Sequence, residues 1–185
     1  HRHDATAAPA LLDGGNRVII IDHHRRGAGY IQGAEISYIE PYASSTSEMV
    51  TELISYQDSE IALPKVAAEA LLAGITVDTK NFFYQTGTRT FEAAAYLKRK
   101  GADSIVIKEL FKDDFELMRY RSEILVSAKH LRPDIMIARF PHDIEGSTLI
   151  ASQAADDLLG IRGIKASFVL TLAEKRVHIS ARSLG

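Results

Sequence analysis

The sequence predicts an α/β protein, with a mostly parallel sheet flanked by helices and a long helix leading to a smaller α/β domain. Three observations carry that prediction. The β-branched run Val18-Ile19-Ile20-Ile21, bounded by the turn signal Asp13-Gly14-Gly15-Asn16, reads as a buried strand. The stretch from 45 to 130 is dominated by helical spacing with start and stop signals. Beyond Pro133 the pattern changes to strand, helix and two paired strands, which marks a second domain. The boundary falls inside the long helix near 116–121, giving domains of 1–116 and 117–185.

The elements follow in order. A short strand is expected over 34–40, ending at Pro41. Ser45-Thr46-Ser47-Glu48 has the S-x-x-E form of a capping box and opens a helix through Met49, Val50, Leu53 and Ile54. Pro64 suits the first turn of the next helix, which runs to Gly74. Ile75-Thr76-Val77 then reads as a strand-like run that delivers Asp78 to a loop. A helix over 90–100 ends at Gly101, a residue suited to a left-handed cap. A long helix covers 104–130. Strands are expected over 135–138, 167–171 and 176–180, with a helix over 147–159 and a four-residue turn at 172–175.

Composition removes several classes of function. The chain has 185 residues, 46% hydrophobic and 25% charged, which is the balance of a folded globular protein. It has no cysteine, so disulfides and thiolate metal sites are excluded and any metal must be held by histidine and carboxylate. With 22 basic against 24 acidic residues there is no field to attract duplex nucleic acid. No apolar run approaches the ~20 residues of a membrane span, so the segment reads as soluble.

Chemistry is concentrated at three places. Asp22-His23-His24 follows the first strand, and open α/β folds place ligands at the carboxyl edge of their sheets. Imidazole suits first-row divalent metals, and a neighbouring carboxylate fixes its tautomer. Adjacent residues of an extended segment point to opposite sides, so one metal ligand and one substrate-facing histidine is the more economical assignment. Asp78 is the second place, a carboxylate that can converge on the same sheet edge. Arg182-Ser183-Leu184-Gly185 is the third, because a guanidinium binds phosphate bidentately.

Weaker candidates have ordinary structural explanations. Ser44 to Ser47 could bind an anion, but helix capping accounts for them. Phe82-Phe83-Tyr84 could stack a base, but core packing is the simpler use. Lys98-Arg99-Lys100 complements a helix dipole. His130, His142 and His178 lack metal-like spacing, and His1, His3 and Asp4 stand at the chain's start.

The run Val18-Ile19-Ile20-Ile21-Asp22-His23-His24-Arg25-Arg26-Gly27 resembles the signature of the DHH phosphoesterase superfamily. The segments Ile39 to Glu48, Gly74 to Phe82, Thr88 to Ala94 and Ile179 to Gly185 resemble its GdpP-type cyclic-di-AMP phosphodiesterases. The second half resembles the DHH-associated C-terminal substrate domain. By that resemblance His23 and Asp78 are ligands of one metal ion, His24 faces the scissile phosphate, and Asp22 supports it. Arg182 and Ser183 hold substrate from the second domain. The resemblance implies two manganese ions, which activate a water to open a cyclic dinucleotide to linear pApA.

The resemblance is incomplete at both ends. The family's first motif, His-x-x-x-Asp-x-Asp, is not in this sequence, nor is the glycine-rich substrate loop expected after Gly185. The chain is therefore expected to be a core fragment with little activity of its own. It belongs to a cytoplasmic region of a protein that could be anchored in a membrane elsewhere. The truncated sheet is expected to expose an apolar edge that further residues or a homodimer partner would cover. Within the superfamily the competing readings are a nano-RNase acting on short oligonucleotides and a non-catalytic nucleotide-binding module.

Overall fold

The computed structural model describes residues 2, 6–12, 17–57 and 62–184. The turn signal at 13–16, and His1, His3 and Asp4, lie outside the described residues. The chain divides into two compact units, His1–Phe111 and Lys112–Gly185.

In the first unit, β1 (Ile19–Asp22) and β2 (Ile36–Ile39) form a two-stranded parallel sheet, with Asp22 opposite Ile39. Only Ile20 and Asp22 of β1 are buried, while Ile19 is exposed. The strand is thus half-buried, not buried on both faces as its continuous apolar run suggested. Asp22, at its end, is placed inward.

Helix α1 (Thr46–Tyr56) starts as the capping signal requires, with the Ser45 hydroxyl accepting the Glu48 N–H at 3.0 Å. The reciprocal half of the box is replaced. The buried Glu48 carboxylate accepts a hydrogen bond from the Ser44 hydroxyl at 2.5 Å instead of reaching back to Ser45.

Helix α2 (Lys65–Asp78) corrects the sequence reading. It continues through Gly74, and Ile75-Thr76-Val77 is helix, so Asp78 is a helix's last residue and not the end of a strand. A single glycine costs a helix interior only about 1 kcal/mol. Here Ile75 is fully buried, and the Thr76 hydroxyl bonds the Leu72 carbonyl at 2.7 Å, so packing overrides the β-branched run. Gly74 is needed for close approach. A Cβ there would lie 2.1 Å from Ser47 Oγ and 3.0 Å from Ser47 Cβ, against the first turn of α1. Rotation of the hydroxyl relieves only the first clash. Gly74→Ala is therefore expected to lower stability by about 1–3 kcal/mol despite alanine's better helix propensity, as a denaturant melt would read.

Helix α3 (Thr88–Arg99) ends at Gly101, which adopts φ 95° as its left-handed cap role requires. The expected long helix over 104–130 is two helices, α4 (Ser104–Leu110) and α5 (Phe115–Ser127). Asp114 caps α5 by accepting the Glu116 N–H at 2.8 Å, and such a side chain starts a new helix as readily as it interrupts one. The division between units falls at 111/112, in this break, so no continuous helix joins them. Ala68, Leu72, Ile75, Ala93, Leu97 and Ile107 form the core of the first unit.

The second unit is a four-stranded mixed sheet in the order β3-β4-β5-β6, built from β3 (Lys129–Arg132), β4 (Ile135–Phe140), β5 (Ala166–Ala173) and β6 (Arg176–Ser183). Only β4 and β5 are parallel, joined across α6 (Ser147–Leu159); the other pairings are antiparallel. The strand, helix and two paired strands expected after Pro133 are thus present, and the parallel sheet expected of the first domain is the β1–β2 pair. Met136, Ala138, Phe140 and Val169 meet Ile124 of α5 and Ile150, Ala154 and Leu158 of α6 in the core. The β5–β6 hairpin turns on two residues, Glu174 and Lys175, at φ 52° and 61°. That is the primed turn that matches strand twist, and Asp143 steadies it by accepting both N–H groups.

Candidate active site

Once β1 ends at Asp22 the chain bends, and strand alternation no longer governs the two histidines. Their rings lie 4.4 Å apart in a T-shaped contact rather than on opposite sides. Their partners nevertheless differ. His23 Nε2 is 3.6 Å from Asp78 Oδ2, while His24 Nδ1 is 2.7 Å from Asp22 Oδ1. The sequence therefore brings Asp78, from the end of α2, to the residue following β1.

The His24 backbone N–H also donates to Asp22 Oδ1, at 2.9 Å. Burial acts to raise the Asp22 carboxyl. The hydrogen bonds it accepts, those from His24 among them, outweigh burial and hold it well below the usual carboxylate range. An ionised Asp22 fixes the His24 ring through Nδ1 and leaves Nε2 on the outer side of a largely exposed side chain. The His23 side chain is mostly buried. One histidine is thus held inward against a carboxylate and the other is oriented outward by one.

A nitrogen and an oxygen 3.6 Å apart can both reach one divalent ion at ligand bonds of about 2.0–2.2 Å. The donor set of imidazole and carboxylate suits manganese or zinc. It supplies two ligands. Among the described residues no group of three or more His, Asp or Glu is placed to hold a metal. On its own, a pair of donors is an incomplete ligand set for such an ion.

Sequence reasoning missed Thr79, which fixes the residues after Asp78. It is fully buried, its hydroxyl donates to the Ile75 carbonyl at 2.6 Å, and it accepts the Phe82 N–H at 3.0 Å. The signal was present in the sequence Val77-Asp78-Thr79, but a strand reading hid it. A second omission is the bidentate pair of Arg89 with Glu52, both contacts at 2.7 Å, which ties α3 to α1 and pushes the Arg89 guanidinium pKa up.

Arg182 and Ser183 lie near the end of β6, paired with Ser167 and Ala166. The guanidinium of Arg182 is held within its own unit by Asp156 at 3.1 Å, by the Ser152 hydroxyl and by the Ala181 carbonyl. It is an oriented arginine with a carboxylate partner. Of the candidate aromatics, Phe82 packs against the core and stacks on Phe91 at 5.6 Å, as expected, whereas Phe83 is 82% exposed.

Residues 3–75, which hold the two-stranded parallel edge and its Asp-His-His, match the DHH family, N-terminal domain. Among curated relatives, the chain is 45% identical over 186 residues to the cyclic-di-AMP phosphodiesterase PdeA of Listeria monocytogenes. It is 40% identical over 188 residues to the cyclic-di-AMP phosphodiesterase GdpP of Bacillus subtilis. Each alignment covers 100% of this chain but only 28% of the relative. The fold resembles that of an exopolyphosphatase-related protein from Bacteroides fragilis, with a TM-score of 0.81 at 24% identity over 95% of this chain and 53% of that one. The α/β architecture read from the sequence is therefore that of the solved relative.

Proposed function

We propose that the protein of which this chain forms part is a manganese-dependent phosphodiesterase that hydrolyses cyclic-di-AMP to linear pApA. The observation that carries the reading is the meeting of His23 with Asp78, 3.6 Å apart, beside the separately paired Asp22 and His24. The similarity to cyclic-di-AMP phosphodiesterases over the whole chain supports the choice of substrate.

In this reading His23 and Asp78 hold one of two manganese ions. Bound there, manganese supplies Lewis acidity toward the phosphodiester and lowers the pKa of water. The chain's own groups do the rest. Asp22 keeps the His24 ring in place, and His24 Nε2 stabilises charge on the phosphate or passes a proton to the departing oxygen. Water forms the new P–O bond, one ester P–O bond breaks, and the released 3′ oxygen takes up a proton. Arg182 and Ser183 contact a substrate phosphate from the second unit, the guanidinium aimed by Asp156 and Ser152. The same reading places this segment in the cytoplasm, acting on a small dinucleotide and on neither duplex nucleic acid nor membrane, in a protein able to pair with a second copy.

The test is turnover by the intact protein of cyclic-di-AMP, pApA and pyrophosphate, with and without manganese. Manganese-dependent conversion of cyclic-di-AMP to pApA is expected. Preference for pApA would replace the reading with a nano-RNase, and binding without turnover would replace it with a non-catalytic module.

A further inference from the structure

The residues directly after Asp78 have an unusual backbone. Lys80, Asn81 and Phe82 lie in the left-handed region in succession, at φ 47°, 60° and 65°, and Gln85 follows at 51°. None is glycine, and the Cβ of an L-residue crowds the following carbonyl in that conformation. Such segments persist only where their surroundings hold them, and they concentrate at ligand contacts.

Here the surroundings are specific. Buried Thr79 accepts the Phe82 N–H through its hydroxyl, and its carbonyl accepts the N–H groups of both Phe83 and Tyr84 at 2.9 Å. Asn81 N–H reaches back to the Thr76 carbonyl at 2.8 Å. Phe82 is drawn into the core and stacked on Phe91. The result folds Phe83 and Tyr84 back beside the residue that follows Asp78, instead of letting them trail away. Phe83 is left 82% exposed, and Tyr84 is half-exposed with the Lys80 ammonium 5.2 Å from its ring centre. A strained turn, anchored by one aromatic, thus presents the next two aromatics and a cation within six residues of a candidate metal ligand. An aromatic face beside a positive charge is the chemistry that binds a base and its phosphate.

We propose that the turn from 79 to 84 is a base-recognition element, with the Phe83 ring as the stacking face for an adenine of the substrate and Lys80 and Tyr84 flanking it. This deepens the phosphodiesterase reading and rests on it for the identity of the base. Thr79 and Phe82 are positioning residues, since they act through the turn and not on the ligand.

The experiment compares wild type, Phe83→Ala and Phe83→Trp in the intact protein, by steady-state kinetics on cyclic-di-AMP with manganese and by equilibrium binding of cyclic-di-AMP. Loss of one base stack should raise KM and weaken binding about tenfold in Phe83→Ala. The kcat should stay within about twofold, manganese affinity should be unchanged, and Phe83→Trp should restore wild-type KM. Unchanged KM and binding in Phe83→Ala overturn the inference. So does a fall in kcat and manganese affinity that tryptophan does not rescue, which would show a structural role. If wild type fails to turn over but binds cyclic-di-AMP in a Phe83-dependent way, the phosphodiesterase reading falls and the stacking element stands. If wild type turns over and Phe83→Ala matches it, only the stacking element falls.

Discussion

Asp78→Ala and His23→Ala are each expected to weaken manganese binding by the intact protein about 100-fold or more, and to reduce hydrolysis of cyclic-di-AMP by at least as much. In the proposed ligand set each removes one direct ligand from a pair whose atoms are 3.6 Å apart. Loss of a supporting hydrogen-bond partner alone already costs a metal site about 10–100-fold. The measurement is a manganese titration followed by electron paramagnetic resonance, with turnover in parallel. Asp78 ends α2 at the surface, and its side chain is 40% exposed, so the alanine variant should keep its fold. Full manganese binding in Asp78→Ala would remove the carboxylate from the ligand set.

The largest expected effect on stability lies in the second unit. Phe140 is buried to 1% exposure on β4, in edge contact with Tyr120 at 5.6 Å and with His142 at 4.9 Å. Truncation to alanine leaves a cavity that the sheet above and helices below cannot close, and such changes cost about 3–5 kcal/mol. Phe140→Ala should lower the denaturant midpoint of the second unit by that amount. His23 and Asp78 lie in the first unit, so manganese binding by Phe140→Ala should match wild type in conditions where the second unit is still folded. A loss below 1 kcal/mol would mean the site relaxes around the missing ring.

Legibility in the sequence followed the range of the forces involved. Local signals were read well: the Ser45 cap, the Gly101 cap and the helix over 147–159 depend on side chain–backbone bonds within a few residues. Readings failed where a distant contact decided. Gly74 resembled a terminator but serves the close approach of α1, and Ile75-Thr76-Val77 resembled a strand but is buried helix. The helix break at 111–114 was missed because Asp113-Asp114 in a charged stretch resembles an exposed helix face as much as a cap. At the candidate site the residues were legible and their arrangement was not. Alternation predicted the two rings on opposite sides, whereas the bend after β1 sets them in contact and gives each a different carboxylate. The aromatic run was read as a unit, for core packing or for base stacking, and its residues divide for a similar reason. Only the backbone shows Phe82 turned inward and Phe83 turned out.

The central claim is that the adjacent histidines divide their work, His23 toward metal with Asp78 and His24 toward substrate with Asp22. The most direct measurement is manganese stoichiometry and affinity in His24→Ala of the intact protein, read beside its rate on cyclic-di-AMP. The account predicts metal binding equal to wild type, with turnover reduced about 100-fold or more, in the range of a lost general acid. A His24→Ala protein that has lost its manganese, or that keeps its full rate, would contradict it.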